Sequence, residues 1–183
     1  MVTENAIEEK MKFWEDYQEK AWSTCLPSCQ NWDYLVLGLH SEIGELCGKF
    51  KKKIRGDYDD CPERFLEDVK AEIGDILWYT VSILQFKKAH FSLKVFAFIY
   101  EDADTVNSMT HFAGSLTSYS SIFIQTADDW RWTGECGFPN LLNTLALIAR
   151  SLGFSIEEAA TANIKKLAKR YNTGKIMGSG DYR

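Results

Sequence analysis

One short pattern occurs twice in the chain. Glu42-Ile43-Gly44-Glu45-Leu46 and Glu72-Ile73-Gly74-Asp75-Ile76 each set two carboxylates three residues apart. On a helix, positions i and i+3 share a face, so each copy presents a carboxylate pair to one side. Each copy also puts a glycine mid-helix, at about 1 kcal/mol relative to alanine, and a glycine there lets another backbone come close. Two such helices packed antiparallel bring all four acids together. Clustered carboxylates repel, so either their pKa values rise or cations neutralise them. All-oxygen ligands suit Mg²⁺, with Mn²⁺ as a substitute. A helical di-iron site calls for Glu-x-x-His. No histidine follows any of these acids by three residues, and His40, two residues before Glu42, faces away from it. One Glu-x-x-Glu alone reads as a solvated helix face. Two copies with the same Gly and Ile/Leu context read as a metal site.

Basic residues flank the pattern. Lys49 and Lys53 fall nearly on the helical face of Glu42, with Lys52 beside them. They suit the distal phosphates of a substrate drawn to metals, or a lysine-rich helix end favouring the C-terminal dipole. Asn163, Lys166 and Arg170 share a second face, since steps of three and four add up. Asn163 sits among apolar neighbours, which sets it apart from plain surface. Cys25 and Cys29 lack the two-residue gap of a zinc knuckle and a second Cys/His pair. His90 and His111 read as ordinary surface or core. Trp130 and Trp132 read as burial against the bundle rather than a cap on a base.

Helices must position these residues. Over residues 4–22, Ile7, Met11, Trp14 and Ala21 line one side, and Thr24 to Cys29 read as a loop. From Trp32 to Lys53, Leu35, Leu39, Ile43, Leu46 and Phe50 form one amphipathic stripe. Arg55 to Asp60 break it, and Pro62 sits where a helix accepts proline, in its first turn. A third helix runs to Gln85 through Phe65, Val69, Ile73, Ile76 and Leu77. A helix from Leu141 to Leu152 stops at Gly153. Another begins at Ser155 with acids in its first turn and runs to Tyr171. Residues 87–138 differ in character and read as an insertion, with a helix through Phe112, Leu116, Tyr119 and Phe123 and an apolar run at Leu93–Tyr100 that also reads as helix. No strand series appears, so the fold class is all-α.

The motif set Leu37 to Leu46, Glu72 to Tyr79, Leu152 to Ala159 and Asn163 to Tyr171 resembles the MazG-like all-α nucleoside triphosphate pyrophosphohydrolases, over residues 10–86 and 139–175. The block at 87–138 departs from that family's pattern. The resemblance implies hydrolysis of an NTP or dNTP to the monophosphate and diphosphate. It implies Mg²⁺ held by Glu42, Glu45, Glu72 and Asp75, with Glu45 or Glu42 as general base. Asn163, Lys166, Arg170 and Tyr171 match the family's phosphate side, and Trp22 lies where relatives place an aromatic against the base, though it reads equally as a helix-end core residue. Tyr79 suits a sugar contact or packing equally. The resemblance also implies a homodimer or homotetramer, with the aromatic-rich insertion adding contact surface.

The remaining properties bound these readings. The 183 residues fit one domain, taken as 1–175, with a Gly-rich tail over 176–183. Lys+Arg 21 against Asp+Glu 26 gives −5, which argues against a general nucleic-acid binder and leaves room for a local basic patch that grips a small phosphate. No apolar run approaches the ~20 residues of a membrane helix, and the start shows no signal pattern. Five cysteines without such a signal suggest free thiols in the cytoplasm. Two other classes compete with the enzyme: a carboxylate-bridged metal oxidase or store, and a catalytically idle interaction module. The first lacks Glu-x-x-His. The second has no reason to keep four acids that repel.

Overall fold

In a computed structural model, which describes residues 4–89, 108–127 and 137–172, the chain is all-α. Six α-helices and a short 3-10 turn make up the described elements, and no strand occurs among the described residues. The helices are α1 (Glu4–Ser23), α2 (Trp32–Arg55), α3 (Pro62–Phe86), α4 (Met109–Ala127), α5 (Phe138–Ser151) and α6 (Ile156–Asn172). The tail over 176–183, the run Leu93–Tyr100, His90, Trp130 and Trp132 lie outside the described residues.

Helices α2 and α3 are the central pair. The Asn31 side chain caps α2 by accepting from the Tyr34 N–H at 2.8 Å. Gly56, at φ +92°, ends it in the left-handed conformation that glycine adopts without strain. The short turn to Pro62 forces an antiparallel hairpin. Its register is visible in side-chain pairs: Trp32 by Phe86 (centroids 6.5 Å), Tyr34 by Tyr79 (6.2 Å), and Lys53 over Phe65 (5.8 Å). That register sets Glu42 and Glu45 opposite Glu72 and Asp75. The expected stripe Leu35, Leu39, Ile43, Leu46 and Phe50 is buried against Phe65, Val69, Ile73, Ile76 and Leu77.

Helices α1 and α6 pack on α3. The approach of α6 is set by Gly74, where an added Cβ would lie 2.9 Å from Asn163 Cβ and 3.1 Å from the Ala159 carbonyl oxygen. Gly74 is thus the close-packing glycine that its motif suggests. Gly44 is not: nothing lies within 4 Å of its would-be Cβ. The two copies differ because Gly74 faces α6, whereas Gly44 is on the exposed side of α2.

The C-terminal stop and start are as expected. Gly153 (φ +83°) closes α5, with Phe154 N–H bonding back to the Ala149 carbonyl at 3.1 Å. Ser155 and Glu158 form a reciprocal capping box at the start of α6, at 3.1 and 2.7 Å. Helix α5 begins at Phe138, three residues before the expected Leu141, because Pro139 fits a first turn. The insertion does contain a helix: α4 pairs with α5 and touches α2, with Phe123 against Phe138 at 5.7 Å.

Candidate metal and nucleotide site

The hairpin register brings Glu42, Glu45 and Glu72 together, with one oxygen of each within 4.8 Å of the others. Glu45 is exposed, Glu42 half-buried and Glu72 buried. Burial pushes the Glu42 carboxyl up to about 8, helped by the negative charges of Asp75, Glu45 and Glu72, while Lys166 opposes. Burial also raises Glu72, against the Lys49 ammonium that holds it down. This is the response of like charges gathered away from water.

Asp75 lies apart from that convergence. Asn163 Nδ2 donates to its Oδ1 at 2.7 Å, and Lys166 Nζ reaches both its oxygens. Asn163 is itself buried, and its Oδ1 faces the Tyr17 hydroxyl at 3.4 Å, which also lies 3.4 Å from the Gly74 carbonyl. A chain therefore runs Tyr17, Asn163, Asp75 across α1, α6 and α3. Asn163 sets its amide against Asp75 because Gly74 lets α6 sit against α3 at that point.

The lysines divide. Lys49 Nζ lies 3.1 Å from Glu72 and 3.6 Å from Asp68. Lys53 does not join the acids: one turn further along α2 it meets Asp59 at 3.8 Å and the Phe65 ring. Arg170, one turn beyond Lys166, lines a cavity of about 130 Å³ together with Glu42, Asp75, Tyr34, Trp78 and Tyr79. Tyr79 packs on Gly38, where an added Cβ would fall 2.1 Å from its ring. The Trp78 indole N–H is taken by the Ala21 carbonyl and Thr24 Oγ1, at 3.1 and 2.9 Å. Trp22 is not among the cavity residues and packs part-buried against the core. The Tyr171 side chain lies outside the described residues.

Cys25, Cys29, Cys47 and Cys61 are free thiols, and among the described residues no cysteine or histidine joins the clustered acids. The His40 ring nitrogen meets the Val36 carbonyl on the exposed side of α2. Three contributors escaped the sequence reading. Tyr17 is hidden within an apolar stripe, and Tyr58, whose hydroxyl donates to Asp68 at 2.7 Å, lies in the turn. Asp68 was findable, since Asp68, Glu72 and Asp75 are spaced four and three apart on one face.

No protein-family model matches the sequence, and no solved structure matches it either. The chain is similar to the "Gene 37 protein" of Mycobacterium phage L5, 32% identical over 56 residues. That stretch is 31% of this chain and 49% of the phage protein, so the chain spans about half the length of the curated relative it matches.

Proposed function

We propose that the chain is a MazG-like, Mg²⁺-dependent nucleoside triphosphate pyrophosphohydrolase, converting a (d)NTP and water to the (d)NMP and diphosphate in the cytoplasm, to control or clean a nucleotide pool. One observation carries the reading: three carboxylates converge, and one of them, Glu42, lines a cavity walled by aromatic rings and Arg170. The donor set fits a hard divalent cation, because all three ligands are carboxylates and none is Cys or His. Glu42, Glu45 and Glu72 would hold it, with Asp75 alongside. Bound Mg²⁺ supplies Lewis-acid polarisation of phosphoryl oxygens and a more acidic coordinated water.

The chain's own residues do the rest. Arg170 offers a planar fork to two non-bridging phosphate oxygens, and Lys166, which holds both Asp75 oxygens, offers its remaining N–H as a point-charge donor. Either Glu42 or Glu45 accepts the proton of the attacking water. The Tyr79 ring, with the Trp78 ring standing edge-on to it at 89°, gives apolar area to base or sugar. Because the Trp78 N–H is already bonded, that side chain contributes its apolar area rather than a hydrogen bond.

The test is diphosphate release across all NTPs and dNTPs with and without Mg²⁺. Mg²⁺-dependent formation of monophosphate and diphosphate from at least one is expected. No release from any of them, by folded protein that binds Mg²⁺, overturns the reaction.

A further inference from the structure

The clustered acids have an internal cation. Lys49 Nζ spans two carboxylates on one face of α3, Glu72 at 3.1 Å and Asp68 at 3.6 Å. Glu72 belongs to the converging acids and Asp68 does not. Asp68 is held from the other side, since the Tyr58 hydroxyl donates to its Oδ2 at 2.7 Å. One ammonium therefore bridges a candidate metal ligand and a fixed acceptor just outside the cluster.

We propose that Lys49 is an exchangeable counter-ion: it neutralises Glu72 when the acids hold no metal, and moves wholly onto Asp68 when Glu72 takes up a divalent cation. This rests on the metal-binding part of the function proposed above. A buried carboxylate needs a partner, and Glu72 is only 8% exposed. An ammonium and a divalent cation on the same carboxylate repel each other. Lysine suits the exchange because its charge is a point on a flexible stem and no two-pronged geometry is lost in the move. The two acceptors stand one helical turn apart, so the shift is short. The exchange turns a clash into a parking position, and Asp68 is the residue that makes the site reversible without exposing charge.

Calorimetric titration of the full chain with MgCl₂, without nucleotide, tests this. Lys49→Met removes the competitor and should tighten Mg²⁺ by about 1.5-fold to fivefold, the range of a partly exposed ion pair. Asp68→Asn leaves Lys49 on Glu72 and should weaken Mg²⁺ by a similar factor. The double variant should bind like Lys49→Met, because Asp68 acts only through Lys49. Should Lys49→Met fail to fold, Lys49→Gln, which keeps a hydrogen bond to Glu72, is expected to tighten Mg²⁺ as well. Equal weakening by Asp68→Asn with and without Lys49 would mean a simple field effect and overturn the exchange, as would unchanged affinity in both single variants. Absence of any Mg²⁺ binding by the wild-type chain removes both the metal reading and the exchange. Absence of nucleotide turnover removes only the reaction, since these titrations contain no nucleotide.

Discussion

At the scale of single residues, the four acids are not equivalent. Glu45 is exposed, so Glu45→Ala should abolish turnover and shift stability by no more than about 0.5 kcal/mol, the usual effect at a surface position. Relief of repulsion alone predicts the same or better stability for Asp75→Ala, but the structure says otherwise. Asp75 already has Asn163 and Lys166 on its oxygens, so truncation strands two donors and should cost about 1–3 kcal/mol. Parallel thermal melts and kinetics on both variants check this. Arg170→Ala should lower kcat/KM by roughly one to two decades, from charge-assisted bonds of ~1.5–3 kcal/mol, and Arg170→Lys should recover part. A lower melting point with unchanged kcat/KM would remove Arg170 from the site.

Glu42 links the site to pH. Its carboxyl is raised from 4.5 to about 8 in the folded chain, so the folded state binds more protons between those values. The associated stability is complete below about 4.5 and is lost as pH rises through about 8. Melting of the metal-free protein should therefore fall between pH 5.5 and 8.5, at roughly 2–4 °C per kcal/mol lost. Mg²⁺ favours the ionised form and should reduce the fall, and Glu42→Gln should flatten it. Equal slopes with and without Mg²⁺ would contradict the cluster. The paired acids were legible because i, i+3 spacing is a property of sequence. The capture of Asp75 by α6 was not, because it depends on how closely two helices distant in sequence approach.

At the scale of elements, the two motif glycines make a matched experiment. Gly44→Ala meets open space and gains helix propensity, so it should stabilise the isolated chain by up to about 1 kcal/mol. Gly74→Ala forces a methyl to 2.9 Å from Asn163 and 3.1 Å from the Ala159 carbonyl, and should destabilise by about 1–3 kcal/mol as an overpacked site. Chemical denaturation of both decides it, and equal effects would refute the close approach of α6 at Gly74. Helix positions followed from stripe periodicity, proline and capping residues, which act locally. The α5 start was misplaced because Phe138-Pro139 carries no periodic signal, only the proline's tolerance for a first turn.

At the scale of the whole molecule, apolar surface remains on α2. Leu37 is 70% and Ile54 73% exposed, and Gly44 and Gly48 face open space on the same helix. We expect a homodimer or homotetramer that covers the part of this surface around Leu37, Gly44 and Gly48, and light scattering should show it. Leu37→Glu should then shift the chain toward monomer and Gly44→Ala should lose its stabilising effect in the assembled form. A strict monomer with full activity would exclude the assembly. Within the described residues no helix is long and apolar enough to cross a membrane. Assembly was an expectation from resemblance and not from spacing, because periodicity reports that a face is apolar and not what covers it.

The dependence of Asp75 on α6 also orders events in time. The α2–α3 hairpin closes over a short turn, so Glu42, Glu45 and Glu72 can meet early at little loop-closure cost. Asn163 and Lys166 reach Asp75 across 88 and 91 residues, the slow kind of contact. On these grounds we expect the cluster of three acids to form before its fourth member is fixed, so that a newly made chain has a carboxylate nest before it has a finished site. Divalent cations present during synthesis would meet that nest first, and the last helix would dock onto acids already occupied.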